Sequence, residues 1–125
     1  MTDRVIKALQ HPEVDILGHP TGRILSRRPS FAIDMEAVLQ AAAELDVAVE
    51  INASPNRLDL SDVHAFRARE LGVRIVVSTD AHTKRELENM RYGVDQARRA
   101  WCEAGHVLNT LSWKEFSAWL RRRAA

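Results

Sequence analysis

Apolar positions along this chain fall into three short continuous runs, separated by longer stretches in which they recur every three or four residues. The runs are Val14-Asp15-Ile16-Leu17, Val47 to Asn52 and Arg74 to Thr79. They are rich in β-branched residues and read as strands buried on both faces, as in a parallel sheet. The intervening spacing is helical. Residues 3–10 carry Val5, Ile6 and Leu9 on one face and are closed by Pro12. Residues 35–45 carry Met35, Val38, Leu39 and Ala42 behind an Asp34 N-cap. Residues 62–71 follow a Ser61 cap, turn Val63, Phe66 and Leu71 inward, and end at Gly72. Thr83 with Glu86 forms a capping box that opens a helical stretch to about Cys102, with an interruption at Gly93. His106 to Thr110 reads as a short extended piece. A second capping box, Ser112 with Glu115, opens a last helix carrying Phe116, Trp119 and Leu120, and Arg121 to Arg123 in its final turn suit the helix dipole.

Strand and helix thus alternate three times before a terminal helix, the pattern of a parallel α/β barrel or a doubly wound sheet. A complete β/α barrel needs roughly 250 residues, and this chain has 125. The expectation is therefore an α/β fold of about three βα units, a partial barrel, with residues 1–125 forming a single, incomplete domain. Three strands alone leave two apolar sheet edges unpaired, which favours a homo-oligomer through those edges.

Composition changes this picture little. With 46% hydrophobic and 28% charged residues the chain is globular in class. Eighteen basic against seventeen acidic residues leave a net charge of +1, which excludes the global field of a nucleic-acid-coating protein but not local basic patches. The single cysteine, Cys102, has no partner for an internal disulfide and reads as a small buried hydrophobe. No run approaches a membrane span and no apolar leader follows Met1, so a soluble, cytoplasmic protein is expected.

The chemistry lies where the runs stop. His19 follows the first strand, Glu50 and Asn52 close the second, and Asp80 and His82 follow the third. Strand ends of a parallel sheet share one rim, so these groups converge without being sequence neighbours. If the backbone stays extended from Asp80 to His82, both side chains project to the same side. Two histidines with one or two carboxylates are ligands for Zn²⁺, Mn²⁺ or Mg²⁺, and such a centre with an activated water hydrolyses esters. Arg23 and Arg57, in the loops after the first two strands, can hold a phosphate. The alternative reading of the same residues is that Asp80 caps the next helix and His82 is a solvated loop residue. His11, His64 and His106 lie away from the strand ends, and Trp101, Trp113 and Trp119 are placed at helical spacing for core packing.

Gly18-His19-Pro20-Thr21-Gly22-Arg23, Glu50-Ile51-Asn52-Ala53-Ser54-Pro55 with Arg57-Leu58-Asp59-Leu60, and Ser78-Thr79-Asp80-Ala81-His82 resemble the later motifs of the PHP (polymerase and histidinol phosphatase) domain. The resemblance is closest to the C-terminal PHP domain of bacterial family X DNA polymerases and extends through Tyr92-Gly93, Ala97-Arg98-Arg99 and Leu108-Asn109-Thr110. It implies a distorted β/α barrel with up to three divalent metal ions at its C-terminal rim. It further implies phosphoester hydrolysis and, for the polymerase-linked members, 3′-5′ exonuclease action in DNA-end processing. By motif position His19 is an implied ligand of one metal, Asp80 of another and His82 of the third, and Glu50 a rim residue that need not touch metal.

The early motifs of that family, including its His-x-His pair, are absent. The expectation is thus a fragment, the last half of such a barrel, inactive or weakly active alone. Three alternatives stand beside it: a fragment of a small-molecule, histidinol-phosphatase-like enzyme, a non-catalytic assembly piece, and a nucleic-acid-binding module resting on Arg23, Arg27, Arg28 and Arg57.

Overall fold

The structure is a computed structural model and describes residues 1–123. Three parallel strands, β1 (Ile16–Leu17), β2 (Ala48–Asn52) and β3 (Ile75–Ser78), lie side by side in chain order. Ile16 stands opposite Ala48, Val49 opposite Ile75, and Asn52 opposite Ser78. Helix α1 (Thr2–Leu9) precedes the sheet, α2 (Met35–Leu45) joins β1 to β2, and α3 (Asp62–Glu70) joins β2 to β3. A 3₁₀ segment (Lys84–Asn89), α4 (Met90–Arg99), two 3₁₀ turns (Ala104–His106 and Leu108–Thr110) and α5 (Trp113–Leu120) complete the chain. The sheet does not close, and the fold is an open, partial α/β barrel of alternating βα units.

The caps form where short polar residues precede apolar periodicity. The Asp34 carboxylate accepts the Ala37 N–H at 3.1 Å, and Met35, Val38, Leu39 and Ala42 turn inward. The Ser61 hydroxyl accepts the His64 N–H, and the Ser112 hydroxyl that of Glu115. Val49, Ile51, Leu60 and Ile75 are fully buried between the sheet and its helices. Arg67 of α3 grips Glu36 of α2 through bonds of 2.6 and 2.9 Å, and this guanidinium holds the Glu36 carboxyl down to about 2.

Several expectations are corrected. Val63 and Phe66 face solvent, at 72% and 37% exposure, while Ala65 and Ala68 make the buried face of α3. The helix sits so close to the sheet that its small residues, not its large ones, fit beneath. Helix α4 runs through Gly93 unbroken, because that glycine is a contact: a Cβ there would lie 2.3 Å from Val77 Cγ1 and 2.8 Å from the Ala53 Cβ. His106 to Thr110 is not an extended piece. It coils into two 3₁₀ turns, with Val107 bridging to Ile75 and the Asn109 side-chain amide bonding both the N–H and the C=O of Val77 at 2.8 Å. The outer edge of β3 is thereby covered, so only β1 keeps an open edge among the described residues. Trp101 and Trp113 are 73% and 75% exposed and pack no core. Cys102 is half-buried, and burial pushes its thiol up.

Arg121 to Arg123 follow α5 instead of ending it. Arg122 stacks on the Trp119 ring and bonds Asp15 and Asp46, just ahead of β1 and β2, while Arg123 reaches the carbonyls of Leu9 and Val14. These arginines fasten the N-terminal end of the sheet, which leaves the opposite rim free.

Candidate functional site

At the free rim one carboxylate spans the ends of the two outer strands. The Glu50 side chain, on central strand β2, accepts the His19 N–H at 2.5 Å on Oε2 and the Ser78 hydroxyl on Oε1. The chain turns at His19 through a left-handed φ of 25° immediately after this contact. Two residues further along β2, Asn52 is buried and does a similar service for the loop beyond β3. Its Nδ2 donates to Asp80 Oδ2 at 3.2 Å while its Oδ1 accepts the Ser54 N–H at 3.0 Å. Glu50 and Asn52 thus act as rim residues that hold others in place.

The backbone between Asp80 and His82 is not extended: Asp80 adopts a left-handed φ of 53°. The two residues meet all the same, by a tight turn. His82 Nδ1 lies 2.7 Å from the Asp80 carbonyl oxygen and 3.9 Å from its Oδ1. A carbonyl only accepts, so Nδ1 donates in this bond, and Nε2 is the ring nitrogen that it leaves available to a metal ion. Glu86 Oε2 accepts the N–H groups of His82 at 2.6 Å and Thr83 at 3.1 Å, which fixes the backbone under the imidazole. Thr83, not Asp80, is the residue ahead of the helical turn. The His82 ring itself is 80% exposed.

Asp80 and His82 open on a cleft of about 340 Å³ whose walls include Arg27, Arg57, Glu86 and Asn89. Arg57 Nε lies 3.8 Å from Asp80 Oδ2, and its Nη1 donates to the Arg23 carbonyl at 3.3 Å. Arg23 answers by donating to the carbonyls of Arg57 and Leu58. Arg23 lies outside this cleft, and so does His19, at the β1 end of the rim. The fold therefore gathers Asp80, His82 and Arg57 in one cleft, ties Asn52 to them, and joins the His19 backbone to the same rim, outside that cleft, through Glu50.

The donors present fit one side of a metal site and not a whole one. Asp80 Oδ1 and His82 Nε2 have the right chemistry for a borderline divalent ion. Among the described residues, however, no group of three His, Cys, Asp or Glu side chains is disposed to hold a metal ion.

Asp59 is the rim residue that sequence reasoning missed. After Ser54 to Leu58 turn back, Asp59 and Leu60 run antiparallel to the end of β2, on the flank that β1 vacates after Leu17. This return buries the Asp59 carboxylate completely, where it accepts the Thr21 N–H and the Gly22 N–H at 3.0 Å each. Gly22 has a φ of 66° and a Cβ there would strike the Phe31 ring, so any other residue would be strained and would have to displace that ring. The trace in the sequence was an acid set between Leu58 and Leu60, an apolar frame that a solvated aspartate does not need.

An open α/β sheet with acid and imidazole at its C-terminal rim defines a class in which ligands bind above the strand ends. Within that class, the chain is homologous to part of a DNA polymerase/3'-5' exonuclease PolX of Bacillus subtilis, with 43% identity over 119 residues, 95% of this chain and 21% of that protein. It is also similar to probable phosphatases of Thermoanaerobacter sp. strain X514 (34% identity, 87% of this chain, 44% of that protein) and Caldanaerobacter subterraneus (38%, 65% and 32%). The chain thus spans less than half the length of each of these relatives. No family model matches it. No helix among the described residues is long and apolar enough to cross a membrane.

Proposed function

We propose that this chain is the C-terminal part of a PHP-type, metal-dependent phosphoesterase that acts on DNA ends, and that residues 1–125 form one incomplete domain of it. The observation that carries this reading is the Asp80–His82 turn, with its free imidazole Nε2 and free carboxylate oxygen, at the strand-end rim of a chain homologous to an exonuclease. Asp80, His82 and His19 are the proposed metal ligands, each for a different ion of the complete site, and divalent ions such as Mn²⁺ or Zn²⁺ would supply Lewis-acid charge there. Glu50 and Asn52 position the ligands. Arg57 balances Asp80 and faces the substrate phosphate, while Arg23 acts on phosphate only through the Arg57 loop that it clasps. With ligands on one side only, the chain by itself binds metal weakly, because coordination number and a preformed geometry set affinity.

The test is an exchange. Replacing the matching segment of the Bacillus subtilis protein by this chain should preserve Mn²⁺-dependent 3′-5′ degradation of single-stranded DNA, and Asp80→Ala in the chimera should lower it by at least a hundredfold, consistent with about 2.7 kcal/mol or more of lost stabilisation. The isolated chain should degrade DNA barely or not at all. Robust turnover by the isolated chain would show the partial barrel to be sufficient. A folded chimera indifferent to Asp80→Ala would refute the site. The probable phosphatases among the relatives favour a second reading, hydrolysis of a small phosphomonoester. Turnover of such a substrate without DNA degradation would select it.

A further inference from the structure

The four arginines of the two rim loops are not equivalent. Arg23 spends its donors on the carbonyls of Arg57 and Leu58. Arg28 gives Nε and Nη2 to the Gly22 carbonyl, at 3.1 and 2.9 Å, and lies over the Phe31 ring. Arg57 is tied to the Arg23 carbonyl and sits beside Asp80. Arg27 is exposed, lines the cleft with Asp80 and His82, and has no carboxylate or carbonyl partner among the described residues. It is the one arginine of the cleft whose charge the chain leaves unanswered.

The backbone that carries Arg27 is held firmly. Ile24 and Arg28 exchange both backbone bonds, at 2.9 and 2.8 Å, the Arg27 N–H donates to the Ile24 carbonyl at 3.0 Å, and Ser26 takes the left-handed turn position with φ 65°. The Leu25 N–H donates to the Asn56 carbonyl at 2.6 Å, which pins this turn to the loop after β2. Leu25 remains 40% exposed and lines the cleft next to Arg27. A fastened turn that presents an unpaired guanidinium and an exposed apolar side chain to the same cleft is prepared for a ligand offering both negative charge and an apolar face. A nucleotide strand does so at every step, with a phosphodiester and a base; a small phosphomonoester occupies the Asp80–His82 end alone.

We propose that the Ile24–Arg28 turn is a single-strand grip, in which Arg27 contacts a phosphodiester of the polynucleotide and Leu25 packs on an adjoining base. The inference rests on the phosphoester reading of the same cleft and names the part of it that selects a polynucleotide over a small ester. Because the grip uses no metal ligand, it operates without metal.

The experiment measures binding of a fluorescein-labelled oligothymidylate to the chain by anisotropy, in EDTA, over a range of salt. Each phosphate contact on a single strand contributes about 0.7 to the slope of log K against log salt. Arg27→Ala should lower the slope by about 0.7, Arg27→Lys should retain it, and Arg27→Glu should weaken binding further. Arg4→Ala, on α1, should change nothing, and inorganic phosphate at matched ionic strength should not compete. Equal slopes for Arg27→Ala and the parent chain, an equal loss in Arg4→Ala, or no binding at low salt would overturn the grip. Uptake of Mn²⁺ by the same proteins separates the two readings: a retained slope loss in Arg27→Ala with no metal uptake refutes the metal site alone, and metal uptake with unchanged slopes refutes the grip alone.

Discussion

Asp59 shows how much of the rim depends on one side chain that touches no substrate. Its carboxylate is sealed from water and accepts the Thr21 and Gly22 N–H groups, so it fastens the loop after β1 to the return after β2. Truncation leaves the buried Thr21 N–H without an acceptor and the Gly22 N–H with the His19 carbonyl alone. Asp59→Ala should therefore cost about 1–3 kcal/mol, read as a lower urea midpoint with an unchanged slope, and should raise amide exchange from Thr21 to Arg28. The residues flanking the rim were legible because they stand where apolar runs stop: His19, Glu50, Asn52, Asp80 and His82 needed no coordinates. Asp59 was not, since its role depends on a chain reversal that brings it back beside β2. The division of labour among the arginines was equally hidden, because periodicity places an arginine in a loop without saying which carbonyl it will find.

At the scale of elements, alternation and caps were readable almost to the residue, as α2 behind Asp34 and β2 up to Asn52 show. The failures share a cause. Val63 and Phe66 have the spacing of a buried face, yet α3 and α4 approach the sheet too closely for large side chains and bury Ala65, Ala68, Gly93 and Ala97 instead. Gly93 marks that approach most sharply. Gly93→Ala would drive a methyl into Val77 and Ala53 and should destabilise the chain by about 1–3 kcal/mol through overpacking, despite alanine's higher helix propensity. Thermal unfolding decides between the two effects: a lower midpoint confirms the contact, and a higher one denies it. The coiling of His106 to Thr110 was illegible for a different reason. Its order comes from the Asn109 amide bonding to Val77, a contact 32 residues away in sequence.

For the whole molecule, the two ends of the sheet have separate tasks. Arg122 and Arg123 lock the end where the strands begin, and Asn109 covers the β3 edge, so the fold has fastenings away from the cleft that carries Asp80 and His82. Asp80 and His82, with side chains 37% and 80% exposed, can then be replaced without unfolding the chain, which makes metal uptake the most direct test. Titration of Mn²⁺, followed by the electron paramagnetic resonance signal of the free ion, should show weak uptake by the parent chain. The account predicts that this uptake disappears in Asp80→Ala and in His82→Ala and persists in His106→Ala. Equal uptake by the parent chain and the Asp80→Ala variant, or none by the folded parent chain at any concentration, would contradict it.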